Sequence, residues 1–210
     1  MKLFYSPGAC SLSPHITLRE AERPFELERV DMRAKKTASG DDYLKINPKG
    51  YVPALQLDGP GSDVLTEAIV IVQYIADLVP ERNLAPPNGT FGRYELQEWL
   101  SFFSSEIHKN FGWLFAPDTP VPTQERARGK IESRLGLTSR HIDGKPFVMG
   151  ETFTVADTYL FTMLRWCERF EIDLDARLSD YFHRVSERPA VQAALQAEGL
   201  LETKRHRRSA

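Results

Sequence analysis

Cys10 is the residue of this sequence with the clearest capacity for chemistry. It follows a short apolar run, residues 2–5, and a Pro-Gly-Ala turn, and a helix is predicted over residues 10–22. Backbone N–H groups at a helix start have no intrahelical partners, and with the helix dipole they favour a thiolate. In such settings the pKa of a thiol falls to about 3.5–7.5. We therefore predict a reactive thiol, with a small buried hydrophobe as the alternative.

The residues after Cys10 narrow the chemistry that its thiol can perform. Ser13 stands where a C-x-x-C pair would have its second cysteine. Without a resolving thiol, Cys10 is expected to form a mixed disulfide or to stabilise another thiol. The second cysteine, Cys167, follows an apolar run and is predicted to be structural. Two such cysteines predict no disulfide framework and a reducing cytoplasmic location.

A second group of polar residues lies in an aromatic-rich segment, 91–115, that is predicted to be helical. Ser101, Ser105 and His108 are spaced i, i+4 and i+7, which places them in one stripe of an α-helix. His108 can polarise a sulfur atom or assist proton transfer, or it can be a hydrogen-bonded interdomain histidine. The five histidines show no paired ligand spacing with the cysteines, so we predict no metal site.

Charge and hydropathy exclude several broad classes. The 210 residues include 27 basic and 29 acidic ones, a balance that argues against a general nucleic-acid or membrane-surface binder. No apolar run is long enough to span a membrane, and the N-terminal apolar run breaks too soon for a signal peptide. The basic cluster at 204–208 is predicted to be a solvated tail, with contact to nucleic acid or anionic lipid as the alternative.

The elements that must position Cys10 and His108 differ between the two parts of the chain. Residues 2–5 and 25–31 predict strands, 53–57 and 63–65 a hairpin, and 66–79 a buried helix. This order gives a small mixed sheet with helices packed on it, an α/β arrangement.

Beyond this sheet the sequence predicts helices without strands. A capping box at Thr154 and Asp157 opens one of them, and two shorter helices follow around Pro189. The predicted organisation is an α/β domain over 1–79, a proline-rich linker over 80–90, an all-helical domain over 91–202 and a basic tail over 203–210.

Five motifs occur in one order along the chain. They are KLFYSPGACS from Lys2, NPKGYVPAL from Asn47, LTE from Leu65, EIHK from Glu106 and FTVADTYLF from Phe153. Together they resemble the bacterial beta-class glutathione transferases over essentially the whole length. The resemblance implies an N-terminal thioredoxin-like domain, a helical C-terminal domain, a cytosolic homodimer, and glutathione as co-substrate.

The resemblance also assigns residues in the N-terminal part to glutathione. Val52 and Pro53 match the family's cis-proline, which exposes the backbone of the preceding residue to the cysteinyl unit. Glu67 and Ala68 lie at a strand-to-helix junction, where backbone N–H groups can hold the γ-glutamyl carboxylate and Glu67 can receive the ammonium. Ala68 stands where many relatives have Ser or Gly, which implies weaker binding rather than none.

The resemblance implies further contacts to glutathione from several other residues. Lys35 is placed near the glycyl carboxylate, although Lys36 could serve equally. Glu106 is expected at the ligand or at a partner subunit, and Ser101 stands where relatives often have Asn. Lys109 is expected on the surface. The implied glutathione site is completed by Ala9, Cys10, Ser105 and His108, with Cys10 and His108 as the catalytic pair, Ser11 as a secondary donor and Tyr5 in packing.

Three functional hypotheses follow. The first is conjugation of the glutathione thiolate to electrophiles in an apolar cleft between the domains, with Trp113, Phe115 and Met163 as possible wall residues. The second is glutathione-dependent thiol exchange or reductive dehalogenation with Cys10 as nucleophile. The third is a non-catalytic binding or regulatory protein on the same scaffold.

Overall fold

A five-stranded mixed sheet forms the N-terminal part of the protein. The computed structural model describes residues 1–59 and 63–201, so the predicted tail at 203–210 lies outside it. The sheet has the order β3-β2-β1-β4-β5, in which β1 and β2 are parallel and the other pairs antiparallel. The strands are β1 Lys2–Tyr5, β2 Glu26–Asp31, β3 Lys36–Thr37, β4 Ala54–Gln56 and β5 Val64–Thr66. The predicted mixed sheet is confirmed, and β3 adds an edge too short to show alternation.

Three helices accompany the sheet: α1 Leu12–Glu20, α2 Tyr43–Ile46 and α3 Ala68–Asp77. Helix α1 packs against α3 and against two helices of the second part of the chain. It begins at Leu12, later than the sequence predicts, because the preceding segment is occupied by turns. In these turns the N–H of Ala9 donates to Ser6 O and the N–H of Leu12 donates to Ala9 O. Cys10 therefore precedes the helix instead of opening it.

Helices joined by loops form the second part of the chain within its described residues. A 3₁₀ turn at Pro80–Arg82 leads to α4 Phe91–Phe102, a π-helical turn Phe103–His108, α5 Lys109–Phe115, α6 Val121–His141, α7 Val155–Arg169, α8 Ala176–Ser186 and α9 Pro189–Ala197. The predicted capping box is present at the start of α7, where Asp157 accepts hydrogen bonds from Thr154. Helix α7 is buried from Val155 to Leu164 and forms the centre of the core. The domain boundaries at 79 and 90 stay a prediction.

No helix within residues 1–59 and 63–201 is both long and apolar enough to cross a bilayer.

The turn that carries Cys10 is fastened to the helical part by hydrogen bonds. Gly8 N–H donates to a carboxylate oxygen of Glu198 at 2.9 Å, and Gly8 O accepts from Trp166 Nε1 at 2.8 Å. The other oxygen of Glu198 lies 2.8 Å from Nδ1 of His15, and both side chains are fully buried. Arg19 Nε donates to Nε2 of His15, so the ring proton is on Nδ1 and points to Glu198.

Replacing Glu198 tests whether its hydrogen bonds to Gly8 and His15 stabilise the fold. Glu198→Ala leaves two buried donors, Gly8 N–H and His15 Nδ1–H, without their acceptor, which is expected to destabilise the fold by about 3 kcal/mol. For a chain of this size that corresponds to a Tm lowered by roughly 6–12 °C. Glu187→Ala removes an exposed glutamate at the end of α8 and is the control in thermal unfolding. Equal Tm values for the two variants would contradict the assignment.

Candidate active site

A pocket of about 210 Å³ opens where the edge of the sheet meets the helical part. Both parts of the chain contribute to its walls. Its lining residues are Cys10, Asn47, Lys49, Tyr51, Val52, Pro53, Thr66, Glu67, Ala68, Ile69, Ser104, His108 and Tyr159. The pocket thus brings together six residues singled out from the sequence: Cys10, Val52, Pro53, Glu67, Ala68 and His108.

The thiol of Cys10 is protonated in this setting. Its Sγ donates to the backbone oxygen of Val52 at 3.2 Å. Burial raises the pKa of Cys10 to about 12, and the negative charge of Glu67 adds to the rise. The N–H groups of Cys10 and Ser11 lower the pKa by less than burial raises it. The expectation of a lowered thiol pKa is therefore wrong, because the thiol is desolvated and lies ahead of the first turn of α1.

The Val52–Pro53 peptide bond is cis, as the resemblance implies. The preceding residue, Tyr51, is held through its backbone oxygen, which accepts from Tyr43 Oη at 2.8 Å and from Asn47 Nδ2 at 2.7 Å. These two hydrogen bonds fix the loop that presents the Val52 backbone to the pocket. The sequence predicts Asn47 only as a turn residue, so its role in holding this loop was missed.

The start of α3 forms the opposite wall. The N–H groups of Val70 and Ile71 bond to Glu67 O, which leaves those of Ala68 and Ile69 without intrahelical acceptors. Ala68 and Ile69 both line the pocket, so this wall is suited to an anion. Glu67 precedes the helix with a φ of 72°. That conformation is strained for a residue with a Cβ and is found most often where a ligand or a catalytic group must be positioned.

Lys49 and Glu67 form an ion pair at the start of α3. Lys49 Nζ lies 2.8 Å from Glu67 Oε1 and 3.0 Å from Thr66 Oγ1. Both charged side chains are more than half exposed, so the pair contributes little to stability and a charged ligand can displace it. Lys49 was not expected at the site from the sequence, because it lies in a turn motif and its proximity to Glu67 depends on the sheet.

Lys35 and Ala9 lie outside the lining residues of the pocket. Lys35 Nζ donates to Gly50 O at 2.8 Å and lies 5.6 Å from the ring centroid of Tyr51, at the rim. Ser11, the suggested secondary donor, is fully buried and exchanges hydrogen bonds with the backbone of Ser6. Its hydroxyl is therefore engaged in the turn.

His108 enters the pocket from the helical part. Its Nδ1 lies 2.5 Å from the hydroxyl oxygen of Tyr159. Burial lowers the pKa of His108 to about 4, so the imidazole is neutral at physiological pH. Burial also raises the pKa of Tyr159, which keeps its phenol protonated.

The serines predicted to share a face with His108 do not line the pocket. Ser101 and Ser105 are exposed, and Ser105 Oγ donates to Ser101 O at 2.9 Å. From Phe103 to His108 the helix widens into a π turn, in which the N–H of Lys109 bonds to Ser104 O, an i→i+5 pair. This wider turn breaks the α-helical register on which the prediction rests and places Ser104 at the pocket beside His108.

The other residues named from the sequence lie in packing or on the surface. Glu106 pairs with Arg134 of α6 at 3.0 Å and does not line the pocket. Tyr5 is half-buried, 6.3 Å from the ring of His15. Met163 and Cys167 are fully buried in the core, whereas Trp113 and Phe115 are partly exposed on α5. Within the described residues there is no cluster of three or more His, Cys, Asp or Glu side chains that could hold a metal ion.

A mixed sheet with a thiol before its first helix, joined to a helical part that contributes a histidine to the same pocket, defines a two-part protein with a cysteine and a histidine in one site. Family models for the glutathione S-transferase N-terminal and C-terminal domains match residues 8–78 and 94–189. The chain therefore belongs to the glutathione S-transferase family and is a transferase.

Individual proteins similar to this chain belong to the same family. The chain is 46% identical to glutathione S-transferase GstA of Escherichia coli O157:H7 over 95% of its own length and all of that protein. The ternary complex of BphK, a bacterial transferase, has a TM-score of 0.93 at 53% identity, covering 95% of this chain and all of that one. A sphingomonad glutathione S-transferase solved with glutathione has a TM-score of 0.91 at 46% identity, covering 96% and 100%. The resemblance to the bacterial beta class is confirmed.

The protonated state of Cys10 predicts slow alkylation in the ligand-free protein. Because the reactive form is the thiolate, the rate with iodoacetamide is expected to stay low at pH 7 and to rise steeply only above about pH 9. Mass spectrometry of the intact chain measures the rate. The Cys10→Ala variant, which retains the buried Cys167, provides the background. A fast rate with a plateau near pH 7 would show that the thiol is ionised.

Proposed function

We propose that this transferase activates the thiol of bound glutathione and conjugates it to apolar electrophiles. The observation that carries the proposal is the hydrogen bond of Cys10, whose half-buried thiol donates to Val52 O. A protonated cysteine is a poor nucleophile, so the attacking sulfur is supplied by the co-substrate. In the reaction the glutathione thiolate forms a bond to the electrophilic carbon, and the leaving group departs with the bonding electrons.

The walls of the pocket match the functional groups of glutathione. We assign its γ-glutamyl carboxylate to the free N–H groups of Ala68 and Ile69, and its ammonium to Glu67. The ammonium displaces Lys49 from Glu67, which frees Lys49 to face a ligand carboxylate. The backbone of Val52 is assigned to the cysteinyl unit. The sphingomonad relative was solved with glutathione, which supports the same ligand here.

The glycyl carboxylate is assigned to the rim of the pocket, where Lys35 remains the proposed contact. Its ammonium group already extends to Gly50 O, beside the exposed ring of Tyr51. A carboxylate arriving there can take over that hydrogen bond without moving the backbone. Ala9, Ser101, Ser105 and Glu106 are not among the lining residues and are left out of this binding arrangement.

Two alternatives are less well supported. Thiol exchange or reductive dehalogenation with Cys10 as nucleophile requires a thiolate, and a pKa of about 12 disfavours one. A non-catalytic binding protein is disfavoured by the charged and hydrogen-bonding groups that still converge on the pocket. The basic cluster at 204–208, the feature with an alternative interpretation as a contact to nucleic acid or anionic lipid, lies outside the described residues.

A comparison of Cys10→Ala with Glu67→Gln tests the proposal. We expect Cys10→Ala to conjugate glutathione to a chlorodinitrobenzene within about tenfold of wild type, because Cys10 does not attack the substrate. Glu67→Gln removes a charged acceptor and should raise the Kd for glutathione by about 10–100-fold. Calorimetry gives the Kd and absorbance gives the conjugation rate.

The exposed Glu125→Gln variant of α6 is the matched control for Glu67→Gln, and its Kd should equal that of wild type. Loss of conjugation by more than about a thousandfold in Cys10→Ala would instead make Cys10 the nucleophile. If wild-type protein binds no glutathione at millimolar concentration, the proposed function fails.

We also propose that the protein is a homodimer that joins through the surface of α3 and α4. A hydrogen bond of 3.0 Å from Gln97 Nε2 to Gln73 Oε1 joins these helices. Val70 of α3 and Phe91 and Tyr94 of α4 are exposed, with Phe91 78% and Tyr94 60% exposed. Exposed large apolar side chains are typical of interaction sites when they adjoin one another, which the proposed dimer requires of these three. A second copy of the chain is the partner that the family resemblance implies.

Phe91→Asp is expected to shift the protein from dimer to monomer, because a charge would be buried at the interface. Sedimentation velocity at micromolar concentration measures the change. Val121→Asp replaces another exposed apolar residue, at the start of α6, and should leave the dimer intact. A monomeric wild type, or an unaffected Phe91→Asp variant, would refute this interface.

The cellular location stays a prediction from the sequence. Cys10 and Cys167 are both free. A reducing compartment such as the cytoplasm would keep both thiols reduced.

A further inference from the structure

The helical part presents three polar side chains to the pocket. His108 Nδ1 lies 2.5 Å from the hydroxyl oxygen of Tyr159, and Ser104 lies at the pocket beside them. All three residues line the pocket. Ser104 and His108 belong to the π turn, and Tyr159 belongs to the buried helix α7. The three side chains therefore occupy fixed positions on two packed helices.

The hydrogen atoms of the His108–Tyr159 pair can be assigned from the acceptor that the phenol requires. Tyr159 is buried and keeps its phenolic proton, so its hydroxyl needs an acceptor. The unprotonated nitrogen of a neutral imidazole provides one, and His108 Nδ1 is the atom at hydrogen-bond distance. With Nδ1 accepting from Tyr159, the single ring proton of His108 must be on Nε2.

We propose that Tyr159 is a positioning residue that fixes His108 as the Nε2–H tautomer, with that N–H available to the sulfur of bound glutathione. This inference rests on the proposed function for its ligand. The thiol of bound glutathione loses its proton to solvent water, a hydrogen bond from Nε2–H stabilises the thiolate that remains, and the imidazole stays neutral throughout. Tyr159 itself contacts neither the sulfur nor the electrophile in this scheme.

The packing of the rings allows the effect of the Tyr159 hydroxyl to be tested apart from the support that the Tyr159 ring gives to His108. The imidazole lies 4.9 Å from the Trp166 ring and 5.8 Å from the Tyr159 ring, measured between centroids. A phenylalanine at position 159 preserves the aromatic contact and removes only the hydroxyl. The ring of His108 should therefore stay in place in Tyr159→Phe, while its two tautomers become free to interchange.

The first measurement is ligand-free NMR of protein labelled with ¹⁵N-histidine, assigned with His108→Gln. Wild type should show the Nε2–H pattern for His108, and Tyr159→Phe should show a mixture of both tautomers. The Nδ1–H pattern in wild type would overturn the inference, even if Tyr159→Phe fails to fold. Because this readout needs no glutathione, it judges the inference separately from the proposed function.

The second measurement is steady-state conjugation with varied glutathione. Tyr159→Phe is expected to lower kcat about tenfold with little change in KM, because the lost interaction acts on the thiolate. In the His108→Gln background the same substitution should cause no further loss, since both changes remove one interaction. Tyr74→Phe, at a half-buried tyrosine of α3 outside the pocket, is the control.

Two kinetic results would contradict the inference. If Tyr159→Phe matches Tyr74→Phe in kcat, then the hydroxyl does not act through His108. If the losses from Tyr159→Phe and His108→Gln add fully, then the two residues act independently. A wild type without any conjugation would refute the proposed function and leave the tautomer result as the test of the pair.

Discussion

The site depends on the hydrogen bonds that attach the turn before Cys10, in the N-terminal part, to the helical part of the chain. Gly8 bonds to Glu198 through its N–H and to Trp166 through its C=O, so the turn before Cys10 cannot move independently of the helical part. Trp166 also packs on the ring of His108, which enters the same pocket. One set of contacts thus fixes the distance between groups that are far apart in sequence.

Desolvation is the second constraint, and it determines which sulfur reacts. Burial keeps the thiol of Cys10 protonated and the imidazole of His108 neutral. A pocket built from neutral donors and the free N–H groups at the start of α3 can stabilise an anion that a ligand brings. The charges needed for recognition, Lys49 and Glu67, lie at the exposed side of the pocket, where ions can exchange at low cost.

Part of the pocket lining was named from the sequence. Cys10 was predicted from its place between a turn and a helix, whereas Val52-Pro53 and the start of α3 were implied by the resemblance to the beta class; all of them line the pocket. Ser101 and Ser105 were misplaced because an α-helical period was assumed through a segment that contains a π turn. Lys49 was missed because its contact with Glu67 arises only when β4 and β5 pair. Register shifts and contacts across a sheet have no local signature in one sequence.

The π turn makes the pocket sensitive to chain length as well as to composition. A turn closed by i→i+5 bonds contains one residue more than the α-helix around it needs. A deletion of one residue between 103 and 108 would restore the regular period and rotate the preceding residues by about 100° relative to His108. Such a deletion would exchange the side chains that face the ligand while leaving most of the apolar core intact. Length variation at this turn is thus a route by which related chains could acquire different walls around the same sulfur.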